Sequence, residues 1–346
     1  MIKIFKYITY FFIVFAFSTC DKGPKKIEYA PVGSITENSI LVCNEGNFNW
    51  SNASLSLVNT ENNTVNFDVF FSQNNRKIGD VLQSATIINN KLYLVVNNSE
   101  KIEVVNPETF KHIATISGLK SPRYMVKVNN ATAYVSDLYA NAITIVDLNN
   151  HAVKGSIPIA GWTEEMLVQN NMAYITNLRK DFLLCVNTNT NTVFDTVFCG
   201  YGSNSLVQDK RNNIWILASG NETLQKTATL SCYNPQQKII TKQFIFNTGS
   251  PRKLIIDGKG ETLFWLNRGN VFKMFIDDET LPANALINGA GKTFYGLDFY
   301  KNKNAIVVTD AKDYVQQGDV LIYDVFGKLL KQYKAGIIPS EICFYE

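Results

Sequence analysis

Histidine is scarce in this 346-residue chain, with only His112 and His151, and no Cys/His spacing matches a zinc site. There is no Gly-x-Ser-x-Gly elbow, no phosphate-cradling glycine loop and no EF-hand pattern. Acid clusters are nearly missing too. Asp310 and Asp313 stand near each other, and Asp277-Asp278-Glu279, the one run of three acids, reads as a solvated turn. These gaps leave hydrolytic, phosphoryl-transfer and metal chemistry without a local motif. No enzyme activity, catalytic residue, cofactor or metal is therefore expected; only carboxylates gathered from distant parts of the chain escape such a reading. Charge is sparse and balanced, with 33 Lys and Arg against 30 Asp and Glu, so nothing points to nucleic acid or a strongly charged partner. Heptads and low-complexity runs are also lacking, and no apolar run of spanning length follows the first 19 residues.

Residues 1–19 are the one strongly apolar stretch. Lys3 and Lys6 form a basic head, and Ile8–Phe17 has the length of a signal-peptide core, too short for a spanning helix. Cys20 follows in Phe17-Ser18-Thr19-Cys20, which resembles a bacterial lipobox, with Phe in place of the commonest Leu and Thr in place of Gly or Ala. That resemblance implies lipid attachment at Cys20 and an outer-membrane lipoprotein, held to the membrane through its lipid alone. An ordinary cleaved signal with an incidental cysteine is the alternative. Without residues 1–19 the net charge is +1. Residues 20–37 read as a short tether, and 38–346 carry no composition shift that would mark a second domain.

The rest of the chain repeats one unit. From Ser121 to Ile159, four short alternating runs rich in β-branched and aromatic residues are separated by Asn-rich turns. This predicts a four-stranded antiparallel meander of about 40 residues, the size of one propeller blade. The ends of the second strands mark the register at Asn97, Asp137, Asn177, Ser219, Asn267 and Asp310, with spacings of 40, 40, 42, 48 and 43. Leu41–Asn44 is the earliest copy, giving seven. The first copy lacks a first strand before Ser39, and the last first strand, Glu341–Tyr345, lacks a second strand after it. The expected fold is all-β: a seven-bladed β-propeller whose C-terminal strand completes the N-terminal blade and leaves no open sheet edge.

Five further cysteines, Cys43, Cys185, Cys199, Cys232 and Cys343, read as buried free thiols. Cys43 and Cys343 fall in adjacent strands of the closing blade. The repeat alignment puts Cys343 opposite about Ile40, which sets the two side chains on opposite faces. Both histidines fall at peripheral positions, in a fourth strand and at a hairpin turn.

In a propeller, the loops entering first strands and leaving second strands share one face around the central channel. On that face the sequence places Asn47, Phe48, Trp50, Arg123, Tyr124, Tyr139, Trp162, Glu164, Asn204, Arg252, Arg268, Tyr295, Tyr314 and Glu341. Aromatics give contact area at low entropic cost, and amides, arginines and acids orient a ligand. The inventory suits a bulky, partly apolar ligand with amide or carboxylate groups. The alternative is that several of these aromatics pack between blades around a water-filled channel.

Ala133-Tyr134-Val135-Ser136-Asp137 and Ala173-Tyr174-Ile175-Thr176-Asn177 look like the repeat of the YVTN-type bacterial propellers. Asn44-Glu45-Gly46-Asn47-Phe48, after a lipoprotein leader, is similar to the opening of propeller lipoproteins of the Bacteroidetes, including surface proteins that capture cobalamin and pass it to a TonB-dependent outer-membrane transporter. The resemblance implies a corrinoid on the loop face. Asp21-Lys22-Gly23-Pro24-Lys25-Lys26 is mainly basic, unlike the acidic run that often accompanies surface export in that phylum, so the cell surface and the periplasmic face both stay open. A scaffold that docks another envelope protein is the second reading, and a hydrolase or lyase with carboxylates spread over several blades the third.

Overall fold

The computed structural model describes residues 35–345. The leader, Cys20 and most of the tether lie outside the described residues. Each sequence repeat folds into an antiparallel sheet, and seven sheets form the propeller. In blade 3 the strands Pro122–Lys127, Thr132–Asp137, Ala142–Asp147 and Ala152–Pro158 lie side by side in chain order. The second strand is buried along its whole length and the fourth is mostly exposed. This follows from composition: second strands carry apolar side chains on both faces and so pack against a blade on either side.

Asparagine makes the tight hairpins. Asn89-Asn90 and Asn170-Asn171 join first to second strands with both residues at positive φ, between 49° and 61°, the backbone twist that a two-residue hairpin needs. The Asp and Asn markers at second-strand ends have a separate task. Asp137 Oδ2 accepts from the amides of Lys120 and Ser121, and Asp310 Oδ1 accepts from that of Thr293. Asn177 and Asn267 donate to the carbonyls of Ala160 and Thr248. These four markers thus tie down the loop that enters their own blade, whereas Asn97 and Ser219 donate to the Pro122 and Pro251 carbonyls at the entry to the next blade.

The innermost strands touch one another around a closed circle: Pro339–Phe344, Leu82–Ile88, Pro122–Lys127, Thr163–Gln169, Ser203–Gln208, Arg252–Ile256, Phe294–Tyr300 and back to the first. Closure occurs where Pro339–Phe344 pairs with Ser39–Asn44, with Ile40 opposite Phe344 and Cys43 opposite Glu341. Asn44 Oδ1 accepts from the Gly336 amide at 2.9 Å, and Tyr300 stacks on Phe344 at 4.6 Å. Blade 6 has three strands, Arg252–Ile256, Thr262–Asn267 and Asn270–Phe275. Irregular chain takes the fourth position, and its Leu286 and Ile287 amides reach the Val271 carbonyl.

The expected register of Cys343 is wrong by one residue. Cys343 lies opposite Leu41, and both cysteines join one core cluster, so they share a face. The bulge between Pro339 and Glu341 supplies the extra residue: Asn44 pairs with Pro339, yet Cys43 pairs with Glu341. Cys43 is nonetheless a free thiol, as are buried Cys185, Cys199 and Cys232. The acid run 277–279 is exposed, but it is more than a solvated turn. Arg211 grips Asp277 at 2.6 and 2.9 Å and Lys242 reaches Glu279 at 2.8 Å, tying blade 6 to blade 5. His112 sits in the outer strand of blade 2 and His151 at a hairpin with φ 51°.

Candidate functional site

Every innermost strand is irregular near its start. Register shifts leave Ser340, Gln83, Arg123-Tyr124, Glu164-Glu165, Asn204, Lys253-Leu254 and Tyr295-Gly296 unmatched in blades 1 to 7 respectively. A β-bulge re-aims the side chain of its extra residue. Here all seven blades use one to point a group at the axis: Ser340, Gln83, Arg123, Glu164, Asn204, Lys253 and Tyr295 all line one funnel of about 250 Å³. Glu45, from the loop after Ser39–Asn44, Tyr124, Glu165 and Arg252 line it as well.

The funnel is charged and internally tied. Arg123 Nε donates to both oxygens of Glu164 at 3.0 and 3.1 Å, and its Nη1 donates to Gln83. Arg252 donates to the Phe294 carbonyl at 2.8 Å, with its guanidinium 5.3 Å from the Tyr295 ring centre. Tyr295 donates to Glu45 at 3.3 Å. Burial raises the Glu45 carboxyl above its ordinary range, against the pull of Arg123 and Lys253, and pushes the Tyr295 hydroxyl up to about 12.

A belt crosses the channel beneath this funnel. Lys253 Nζ donates to Glu341 at 2.5 Å and to the Tyr124 hydroxyl at 3.1 Å, joining blades 6, 1 and 3 through the axis. Burial opposes the charge on Lys253, but Glu341, Tyr124 and Glu165 together outweigh it and raise the ammonium pKa. Lys253 has φ 56°, left-handed backbone that a lysine adopts only at a cost of about 1–2 kcal/mol. Such strain persists where surrounding contacts over-determine it. Tyr124, Glu165, Lys253 and Glu341 also bound a second chamber, of about 340 Å³, on the far side of the belt.

Around the funnel mouth stand aromatics. Phe48 and Trp50 are 64% and 73% exposed. Tyr139 meets Trp162 edge-on at 5.7 Å, and Arg179 lies 3.5 Å over the Trp162 ring. Tyr314 meets Tyr295 edge-on at 5.9 Å. The loop bearing Phe48 and Trp50 is pinned from blade 7 to blade 2: Asn47 Nδ2 donates to the Tyr314 carbonyl at 2.7 Å, and the Asn49 amide donates to Asp80 at 2.7 Å. Gly46 turns this loop at φ +70°, where a Cβ would stand 2.4 Å from Asn52 Oδ1.

Among the residues predicted from sequence, Arg123, Tyr124, Glu164, Asn204, Arg252 and Tyr295 line the funnel. Asn47, Phe48, Trp50, Tyr139, Trp162 and Tyr314 belong to the loops around its mouth, and Glu341 sits in the belt. Arg268 is elsewhere: it lines a groove of about 670 Å³ between blades 5 and 6, beside Phe244 and Trp265. That groove is larger, but two blades alone supply its walls, whereas the funnel draws on all seven. Gln83, Glu165 and Lys253 were not anticipated, and Glu45 and Ser340 lie in loops expected on this face but were not singled out. The alternating pattern signals strands but not bulges, so residues flanking the predicted ones passed unseen. Among the described residues no His, Cys, Asp and Glu side chains group to hold a metal ion, and no helix is long and apolar enough to cross a membrane.

Fold and site together define a seven-bladed propeller with a polar axial funnel. The chain belongs to the family DUF5074, a domain of unknown function, which matches residues 38–337. No curated protein matches it. Among solved structures it is similar to a quinonprotein alcohol dehydrogenase-like protein of Bacteroides thetaiotaomicron, with TM-score 0.71, 15% identity, and 89% of this chain and 78% of that one covered. It is also similar to a 6-phosphogluconolactonase candidate of Bacteroides fragilis, with TM-score 0.67, 12% identity and coverage of 89% and 98%. Hydrazine synthase of Kuenenia stuttgartiensis gives TM-score 0.60 at 11% identity, with coverage of 75% and 88%. Identities this low establish the shared fold alone.

Proposed function

We propose that this protein captures a bulky ligand on its loop face. One observation carries the reading: seven bulges aim Arg, Glu, Lys, amide and hydroxyl groups into one funnel, and exposed aromatics stand around its mouth. At about 250 Å³ the funnel admits an amide- or carboxylate-bearing arm, while the apolar body of the ligand lies across Phe48, Trp50 and Tyr139. A corrinoid has this construction, and the sequence resemblance to cobalamin-capturing lipoproteins supports it. On this proposal Cys20 carries the lipid anchor, the protein sits at the outer membrane, and the ligand passes to a TonB-dependent transporter. Titration with cyanocobalamin tests the ligand. The reading expects heat and a visible-band shift at micromolar protein, and the absence of both overturns it. A docking scaffold is the second reading, favoured by Phe194 and Phe198, exposed on the outer strand of blade 4. Pull-down from membranes separates the two, because a scaffold retains its partner whether or not cobalamin is present.

A further inference from the structure

The chamber beyond the belt differs in chemistry from the funnel. Its walls are largely apolar side chains from blades 3 to 7, among them Met125, Met166, Leu206, Ile255 and Leu297, with Tyr124, Lys253 and Lys301 at its edges. Into it project three carboxyls, of Glu165, Asp298 and Glu341. Glu341 is satisfied by Lys253. Glu165 and Asp298 have no Lys or Arg nitrogen within ion-pair distance among the described residues, in contrast to Glu164, which Arg123 holds on the funnel side. Lys253 and Lys301 also line the chamber, yet neither stands within ion-pair distance of Glu165 or Asp298, so an organic cation would give these two acids the close partner they lack. A divalent metal fits less well, since no three acidic, His or Cys groups converge among the described residues.

We propose that this chamber binds a primary alkylammonium ion, with its chain on the aliphatic wall and its ammonium against the Glu165 and Asp298 carboxyls. The site differs from the loop-face site in Asp298 and the aliphatic wall, which lie beyond the belt, and shares Glu165 with the funnel. Burial holds the Glu165 and Asp298 carboxyls up to about 8 and about 7. Lys253 opposes both shifts, Glu341 reinforces both, Glu164 adds to that on Glu165, and Lys301 opposes that on Asp298. Near neutral pH an ammonium that recruits these groups as carboxylates must release protons, which hexanol cannot do.

The test is calorimetric titration of the full chain with hexylammonium chloride and with hexanol at pH 7, in phosphate and in HEPES, neither of which is a primary amine. Hexylammonium should bind at least about 10-fold tighter than hexanol, the worth of one charge-assisted hydrogen bond. Its heat should differ between the two buffers by the protons released. Asp298→Asn should reduce the preference, and the double variant with Glu165→Gln should abolish it. Equal binding of the two probes, a heat independent of buffer, a preference that survives both substitutions, or no hexylammonium heat at all would each overturn the proposal. The buffer comparison uses the native chain, so the proposal stays testable if a variant fails to fold.

Discussion

The Glu164 side chain, 5% exposed, has Arg123 as its ion-pair partner, and Arg123 also holds Gln83. Removing one member of a buried pair leaves an uncompensated charge and costs about 3 kcal/mol or more. Arg123→Ala should therefore destabilise the fold by about that amount in urea denaturation, and Arg123→Ala/Glu164→Ala should recover part of it. Equal loss in the single and double variants would show that the pair is not coupled. Glu165 gives a prediction in pH. Its carboxyl keeps a proton to about 8 in the fold against an ordinary value of 4.5, with burial as the main cause. Through that window the native state binds more protons than the unfolded chain. This group therefore makes stability fall as pH rises from 4.5 to about 8, and its loss is complete above. Glu165→Gln should flatten that slope and leave the variant more stable than the native chain at pH 8.5. Parallel stability–pH curves for the two proteins would refute the assignment.

The innermost strand with its bulge is the element that makes the site. In blade 7 the bulge includes Gly296, where a Cβ would stand 2.0 Å from the Ser340 carbonyl and 2.8 Å from Thr309 Oγ1. Gly296→Ala should therefore push blade 7 from the closing strand and lower stability by about 2 kcal/mol, within the range for overpacking; an unchanged urea midpoint would mean the seam has slack. Bulges also set the limit of what the sequence discloses. Period-two alternation and the Asn and Asp markers reveal strands, turns and blade number, because burial and tight turns act on residue type directly. A bulge inserts a residue without altering composition. This is why Cys343 was placed one position off. It is also why Glu164 was foreseen while its neighbour Glu165 was not, and why Tyr124 was placed with the loops although it lies in the belt. Arg268 lies apart from the funnel for another reason: blade 6 lacks a fourth strand, and a groove of its own opens there.

At the scale of the whole molecule, closure carries the account. The C-terminal strand supplies Ser340 to the funnel and Glu341 to the belt, and it covers the edge of Ser39–Asn44. A chain ending at Ile338 should lose cooperative unfolding, and peptide 339–346 added in trans should restore it by strand addition. Full cooperativity without the peptide would show that the ring does not depend on this seam. The most direct measurement is hydrogen–deuterium exchange on the full chain with and without cyanocobalamin. The account predicts slowed exchange in loop-face segments of at least four blades, including 44–50, 120–124, 161–165 and 311–316, with the outer strands unchanged. Protection confined to outer strands, or none under saturating ligand, would contradict it.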